Sequence, residues 1–183
     1  MKVMVTGGAG FIGTNLIERL IKEGHTVVSL DNYDSGLEEN HIDSVKYINA
    51  DIETIEYIKG DDFDLCFHLA ALSRIQPSFE NPTDTFRVNV RGTEAVMEWA
   101  LHNNVKVVYA GSSSKWHDPT ISPYAMYKYL GEEVCKLYRK TFDVDVEICR
   151  FYNVYGPKEI VDGDWAAVIG IWRNQVNNNQ KIT

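Results

Sequence analysis

Basic charge is scarce in this sequence. Eighteen Lys and Arg stand against 26 Asp and Glu in 183 residues, a formal net charge of -8. A nucleic-acid or anionic-membrane partner usually writes itself as a basic surface, so neither is expected. Cysteine is scarce too. Cys66, Cys135 and Cys149 are odd in number, with no CxxC pair and no metal-ligand spacing. Reduced structural thiols in a cytoplasmic protein are expected, and no metal. No apolar run has the length of a membrane span. Met1-Lys2 leads straight into Val3-Met4-Val5, without the charged region and long apolar segment of a signal peptide. Repeats and long linkers are also missing. What remains is a chain long enough for one domain with a real core.

Its apolar residues change period along the chain. Lys2–Thr6 reads as a buried strand. Phe11–Glu23 reads as a helix with Ile12, Leu16 and Leu20 at helical spacing and Gly24 as its stop. Thr26–Leu30, Lys46–Ile48, Asp64–Leu69, Val105–Ala110 and Val144–Cys149 read as further strands. Asn81-Pro82 predicts an N-cap and first helical position, opening a helix with Phe86, Val90, Met97 and Leu101 on one side. Ser122-Pro123 predicts another helix, to about Thr141. Strands alternating with helices predict an α/β fold, a doubly wound parallel sheet of the Rossmann kind. After Gly156-Pro157 the character changes. Trp165–Trp172 is apolar and predicted helical, and Lys181-Ile182-Thr183 has the look of a strand beginning.

Chemistry concentrates at a few places. Gly7, Gly10 and Gly13 follow a strand and open a helix, which lets the backbone approach a pyrophosphate at a helix N-terminus. Gly8 to Gly13 also fits GxGxxG, so this motif alone does not separate the dinucleotide-binding families. Asp31 ends the second strand 18 residues after Gly13. Its carboxylate suits ribose hydroxyls and repels a 2′-phosphate, favouring NAD over NADP; an Asp31-Asn32 turn is the alternative. Tyr124 and Lys128 lie one helical turn apart, and a nearby ammonium is expected to lower the phenol's pKa and make it a base. Ser112-Ser113-Ser114 puts hydroxyls at the carboxyl edge of the sheet, where ligands of such folds bind. His68 reads as a satisfied strand-end histidine. Ala70-Ala71 leave room for cofactor beside the backbone. Asp51-Ile52 either bounds an adenine or caps a helix.

Together these stretches, with Asn89-Val90, Gly92-Thr93 and Arg150-Phe151-Tyr152-Asn153-Val154-Tyr155-Gly156-Pro157, resemble the NAD-dependent sugar-nucleotide epimerase/dehydratases of the extended short-chain dehydrogenase/reductase class, UDP-glucose 4-epimerase-like, over essentially the whole chain. The resemblance implies an enzyme with NAD as cofactor and a nucleotide sugar as substrate, epimerised through a transient 4-keto intermediate. It implies Tyr124 as base, Lys128 as a second ligand of the nicotinamide ribose, and Ser112 as proton relay. NAD contacts carry onto Gly7, Gly10, Phe11, Ile12, Gly13, Asp31, Asn32, Asp51, Ile52, Leu69, Ala70, Ala71, Asn89, Tyr124, Lys128, Phe151 and Tyr152. Ser112, Ser113 and Asn153 would meet the substrate. Similar enzymes pair through the helices matching Pro82–His102 and Pro123–Thr141, so a homodimer is expected, with Val134 and Leu137 as candidate contacts.

Two departures stand out. Lys115-Trp116-His117 replaces the family's Val-Tyr-Gly-like stretch, and the loop Asp118–Ser122 is short. The family also continues into a small substrate domain. Residues 1–155 are therefore expected to form the NAD-binding domain and 156–183 the start of a truncated substrate region, with weak turnover by this chain alone. The alternatives are a nucleotide-sugar dehydratase or reductase and a catalytically silent NAD-binding module. Ser113-Ser114 stand where similar dehydratases carry an Asp-Glu pair, and serines do no acid–base work near neutral pH.

Overall fold

Val3, Met4 and Val5 are all fully buried, so strand β1 (Lys2–Thr6) has apolar cover on both faces. The computed structural model describes residues 1–58, 62–163 and 166–182. After β1 come α1 (Phe11–Lys22), β2 (Thr26–Asp31), β3 (Lys46–Asn49) and β4 (Leu65–His68). Then follow α2 (Ile75–Glu80), α3 (Pro82–Phe86), α4 (Gly92–Asn103), β5 (Lys106–Ser112), α5 (Pro123–Phe142), β6 (Val146–Phe151) and α6 (Val168–Asn177). The six strands pair in the order β3-β2-β1-β4-β5-β6, all parallel. This is the doubly wound order, and the chain crosses the sheet between β3 and β4.

Alternate residues of β1 feed two cores. Val3 and Val5 pack with Val27 and with Ile17 and Leu20 of α1. Met4 joins Leu30, Cys66 and Val107 with Val96, Met97 and Trp99 of α4 and Cys135 and Tyr138 of α5. The two cores hold β1 and β4 side by side, so their carboxyl ends open one crevice at the crossover.

Several sequence expectations need correction. The segment from Pro82 is not one regular helix. A π-turn over Arg87–Arg91 separates α3 from α4. The extra residue rotates the apolar stripe, so Val88, Asn89 and Thr93 point inward while Phe86 is exposed and Val90 only half-buried. Asn81 does not cap with its side chain; its carbonyl accepts Thr85 Oγ1–H at 2.8 Å. Helix α2 had no reading in the sequence. The apolar tail helix is Val168–Asn177, and Trp165 and Thr183 lie outside the described residues. Lys181 and Ile182 form no strand. Cys149 is exposed on the edge strand β6, whereas Cys66 and Cys135 are buried; all three are free thiols. Val134 packs partly into the core, leaving Leu137 exposed. Among the described residues no helix is long and apolar enough to cross a membrane.

Candidate functional site

The glycine turn is set by contact. Gly7 has φ 73°, and a Cβ on it would meet Ala70 N at 2.8 Å. A Cβ on Gly13 would stand 2.2 Å from Gly7 O. No side chain fits either place. Gly10 caps α1 with no side-chain bond, so the backbone itself presents the helix start. Gly7, Gly10, Phe11, Ile12 and Gly13 line a cleft of about 960 Å³ at the carboxyl edge of the sheet.

Asp31 is buried at the end of β2, and both sequence readings of it meet here. Its Oδ2 accepts Ala9 N–H at 2.9 Å and its Oδ1 accepts Tyr33 N–H at 2.9 Å, making the turn. The carboxylate also forms part of the cleft wall with Asn32, with lone pairs left over. The following loop folds back onto the glycines through Asn40 Nδ2–H to Ala9 O, 2.9 Å. Ile52, Leu69, Ala70 and Ala71 continue the wall.

Two of the expected NAD contacts, Asp51 and Asn89, also bond within the protein. Asp51 is absent from the wall. It caps the turn Ile52–Tyr57 through Glu53 N–H at 3.1 Å and pairs with Arg87 at 2.9 Å. Asn89 is buried and exchanges two 2.9 Å bonds with the Leu72 backbone, so it fixes the chain beyond Ala71 without reaching the cleft. His68 lies between Thr6 Oγ1 at 2.8 Å and Thr93 Oγ1 at 3.2 Å. Burial, with the Lys128 charge, pushes it down to about 3, so it is neutral and structural.

At the other end of the cleft stand Ser112, Ser113, Tyr124 and Lys128, with Phe151 paired beside Ser112 on the neighbouring strand β6, followed by Tyr152 and Asn153. β5 runs on to Ser112, which makes this serine the last residue of the strand. Ser122 caps α5 by accepting Ala125 N–H at 3.1 Å. Tyr124 N–H donates to Ser78 Oγ at 3.1 Å, tying α2 to the start of α5. Ser112 Oγ accepts from Ser114 N–H at 3.2 Å and Ser114 Oγ–H at 2.9 Å.

The expected electrostatics are corrected here. Burial raises the Tyr124 phenol above its ordinary value, opposed by the Ser112 hydroxyl and the Arg74 guanidinium rather than by Lys128. Lys128 is buried with its Nζ 4.9 Å from the centre of the Tyr109 ring. Desolvation pushes it down to about 8. Arg74, a half-buried wall residue just before α2, was missed. Its only sequence signal was a cation soon after Ala70-Ala71.

The parallel sheet, glycine turn and serine–tyrosine–lysine group define a Rossmann protein of the dehydrogenase/reductase type. The model of the NAD dependent epimerase/dehydratase family matches residues 3–183, and the chain belongs to that family. It is 33% identical to the putative UDP-glucose 4-epimerase of Methanocaldococcus jannaschii, over 97% of this chain and 64% of the relative. It is 34% identical to the UDP-glucose 4-epimerase of Mycolicibacterium smegmatis, over 94% of this chain and 62% of the relative. The solved UDP-glucose 4-epimerase of Thermotoga maritima with UDP-glucose matches with a TM-score of 0.93 at 28% identity, over 99% of this chain and 64% of that one. The Thermus thermophilus UDP-glucose 4-epimerase in complex with NAD gives 0.85 at 27% identity, over 100% and 64%. The chain thus spans just under two thirds of the length of these relatives.

Proposed function

We propose that this chain binds NAD along the cleft and, with Tyr124 as base, acts on the 4-hydroxyl of a nucleotide sugar as a 4-epimerase does. One observation carries the reading: the glycine turn with Asp31 and the group of Ser112, Tyr124 and Lys128 line the same cleft. The bare glycines and the uncapped start of α1 suit a pyrophosphate, and Asp31 suits a ribose diol. NAD, when bound, supplies the acceptor and donor of a hydride.

The protein's part is proton handling and orientation. Ser112 Oγ already accepts two bonds from Ser114, so its own O–H is left to donate to the Tyr124 oxygen. That bond favours the phenolate, which takes the sugar's hydroxyl proton. Lys128 carries its charge at neutral pH and would donate to a ribose hydroxyl of the bound cofactor. Dehydratase or decarboxylase chemistry is the weaker reading, because Ser113 and Ser114 are poor acids and bases. The protein is read as a cytoplasmic homodimer meeting through α4 and α5; light scattering at the monomer mass of 20.8 kDa would contradict that.

The test is incubation with NAD and a panel of nucleotide sugars, with products separated by chromatography. Interconversion of two 4-epimers by the wild type and not by Tyr124→Phe is expected. NAD binding with no interconversion at any enzyme concentration means a silent binding module.

A further inference from the structure

A second set of charged groups lies behind the reacting end, and the proposed chemistry does not use it. Glu132 sits on α5 one turn beyond Lys128 and is fully buried. Arg150 Nε–H donates to its two oxygens at 3.1 and 3.2 Å and Nη2–H to Oε2 at 3.0 Å, a side-on fork. The strand makes way for it: a Cβ on Gly111 would stand 2.8 Å from Glu132 Oε1. Over Arg150 lies Trp116, its ring centre 5.3 Å from the guanidinium carbon. Trp116 ends the turn Ser113–Trp116, which starts from Ser112. Glu133, the next residue of α5, holds the same turn from the other side. Its Oε1 is 3.1 Å from Lys115 Nζ, which also lies 4.2 Å from the centre of the Tyr129 ring.

A buried ion pair is a weak source of stability, because a well-packed apolar pair often does as well. A bidentate fork does fix distance and angle, which an apolar contact does loosely. We propose that Glu132 and Arg150, closed over by Trp116, are positioning residues: they hold the serine turn against the tyrosine–lysine face of α5 and keep a carboxylate behind the Lys128 ammonium. The inference rests on reading Ser112, Tyr124 and Lys128 as the reacting group. Lys128 faces Glu132 and Cys135 of its own helix, Tyr109 of β5 and His68 of β4. Burial drives its pKa down, while Cys135 and Glu132 oppose the fall.

Two readouts, both taken without cofactor, test this. In Glu132→Gln the Lys128 titration midpoint, followed by NMR of the lysine-labelled chain, is expected to fall by about one pH unit, since one opposite charge is lost. In Trp116→Ala, a change at an exposed residue that leaves the core intact, amide exchange of Ser113–Trp116 is expected to quicken about tenfold. Arg150→Lys keeps the charge without the fork, so it is expected to speed exchange and leave the Lys128 midpoint in place. An unchanged midpoint in folded Glu132→Gln, or unchanged exchange in Trp116→Ala, overturns the proposal. If Glu132→Gln does not fold, the Trp116→Ala result decides. Failure of the wild type to bind NAD would sink the functional reading instead, and neither readout depends on it.

Discussion

The two ends of the cleft are built on different physics. At the glycine end the backbone does the work: Gly13 leaves no room for a Cβ, and Asp31 is held by two main-chain N–H groups. At the serine end side chains do the work, and burial moves them from their ordinary ionisation, Tyr124 up and Lys128 down to about 8. Recognition by shape tolerates no added atom, whereas chemistry by desolvated groups tolerates shape changes but no lost proton site. Substitutions at each end should therefore fail in different observables.

The largest separation is expected from Tyr124→Phe. It removes one oxygen from a side chain that stays packed, so NAD affinity and melting temperature should stay near wild type. The rate of nucleotide-sugar interconversion should fall by ~10²–10⁴, the usual loss for a general base. Wild-type rates in the variant would rule Tyr124 out as base. Gly13→Val is the opposite case. A Cβ 2.2 Å from Gly7 O must displace the turn, so NAD affinity read by calorimetry should drop about 100-fold, roughly 3 kcal/mol. The serine end lies beyond that turn and should keep its Lys128 titration. Unaltered NAD binding would show that the turn is not the pyrophosphate site.

A pH effect of similar size belongs to the serine end alone. Lys128 titrates at about 8 in the folded chain against an ordinary 10.5. Below pH 8 both states hold the proton, and the folded state bears the full cost of a buried charge. Between 8 and 10.5 the unfolded state binds more protons, so stability rises with pH by up to about 3 kcal/mol. Tyrosines and cysteines titrate in the same range, so the quantity to measure is the difference from Lys128→Met. Urea midpoints of the two proteins should converge as pH rises from 7.5 to 10. Parallel curves would mean that Lys128 keeps its ordinary titration.

The same contrast explains what was legible in the sequence. The strands, α1 and the glycine turn are local patterns, and apolar period and glycine spacing report them directly. The spacing of Tyr124 and Lys128 was legible as well, because i and i+4 share a helix face. Its electrostatic consequence was not: burial raises the phenol, and burial is a property of the packed fold. The π-turn at Arg87–Arg91 was hidden because one extra residue shifts a helical stripe without breaking it. Asn89, a site residue by the family resemblance, exchanges bonds with the Leu72 backbone, a partner that only the fold brings near. Helix α2 is six residues with Pro77 inside, too short for a period to declare itself.

The smallest expected effect sharpens the comparison at the glycine end. Asp31→Ala removes a carboxylate from the cleft wall and also strips Ala9 N–H and Tyr33 N–H of their acceptor. The turn loosens, so affinity for both dinucleotides should fall, and only their ratio isolates the charge. Repulsion of a 2′-phosphate by one nearby carboxylate is worth about 1–2 kcal/mol at a surface-like dielectric. The preference for NAD over NADP should thus relax by about tenfold. Asp34, exposed on the same loop, lines the cleft without main-chain N–H groups holding its carboxylate at the strand end. Asp34→Ala should therefore change the ratio by less than about twofold, as screened exposed charges do. Calorimetric titration of both variants with both dinucleotides decides it. If Asp34→Ala relaxes the preference as much as Asp31→Ala, selectivity comes from the summed negative field of the loop, and the carboxylate ending β2 loses its special place.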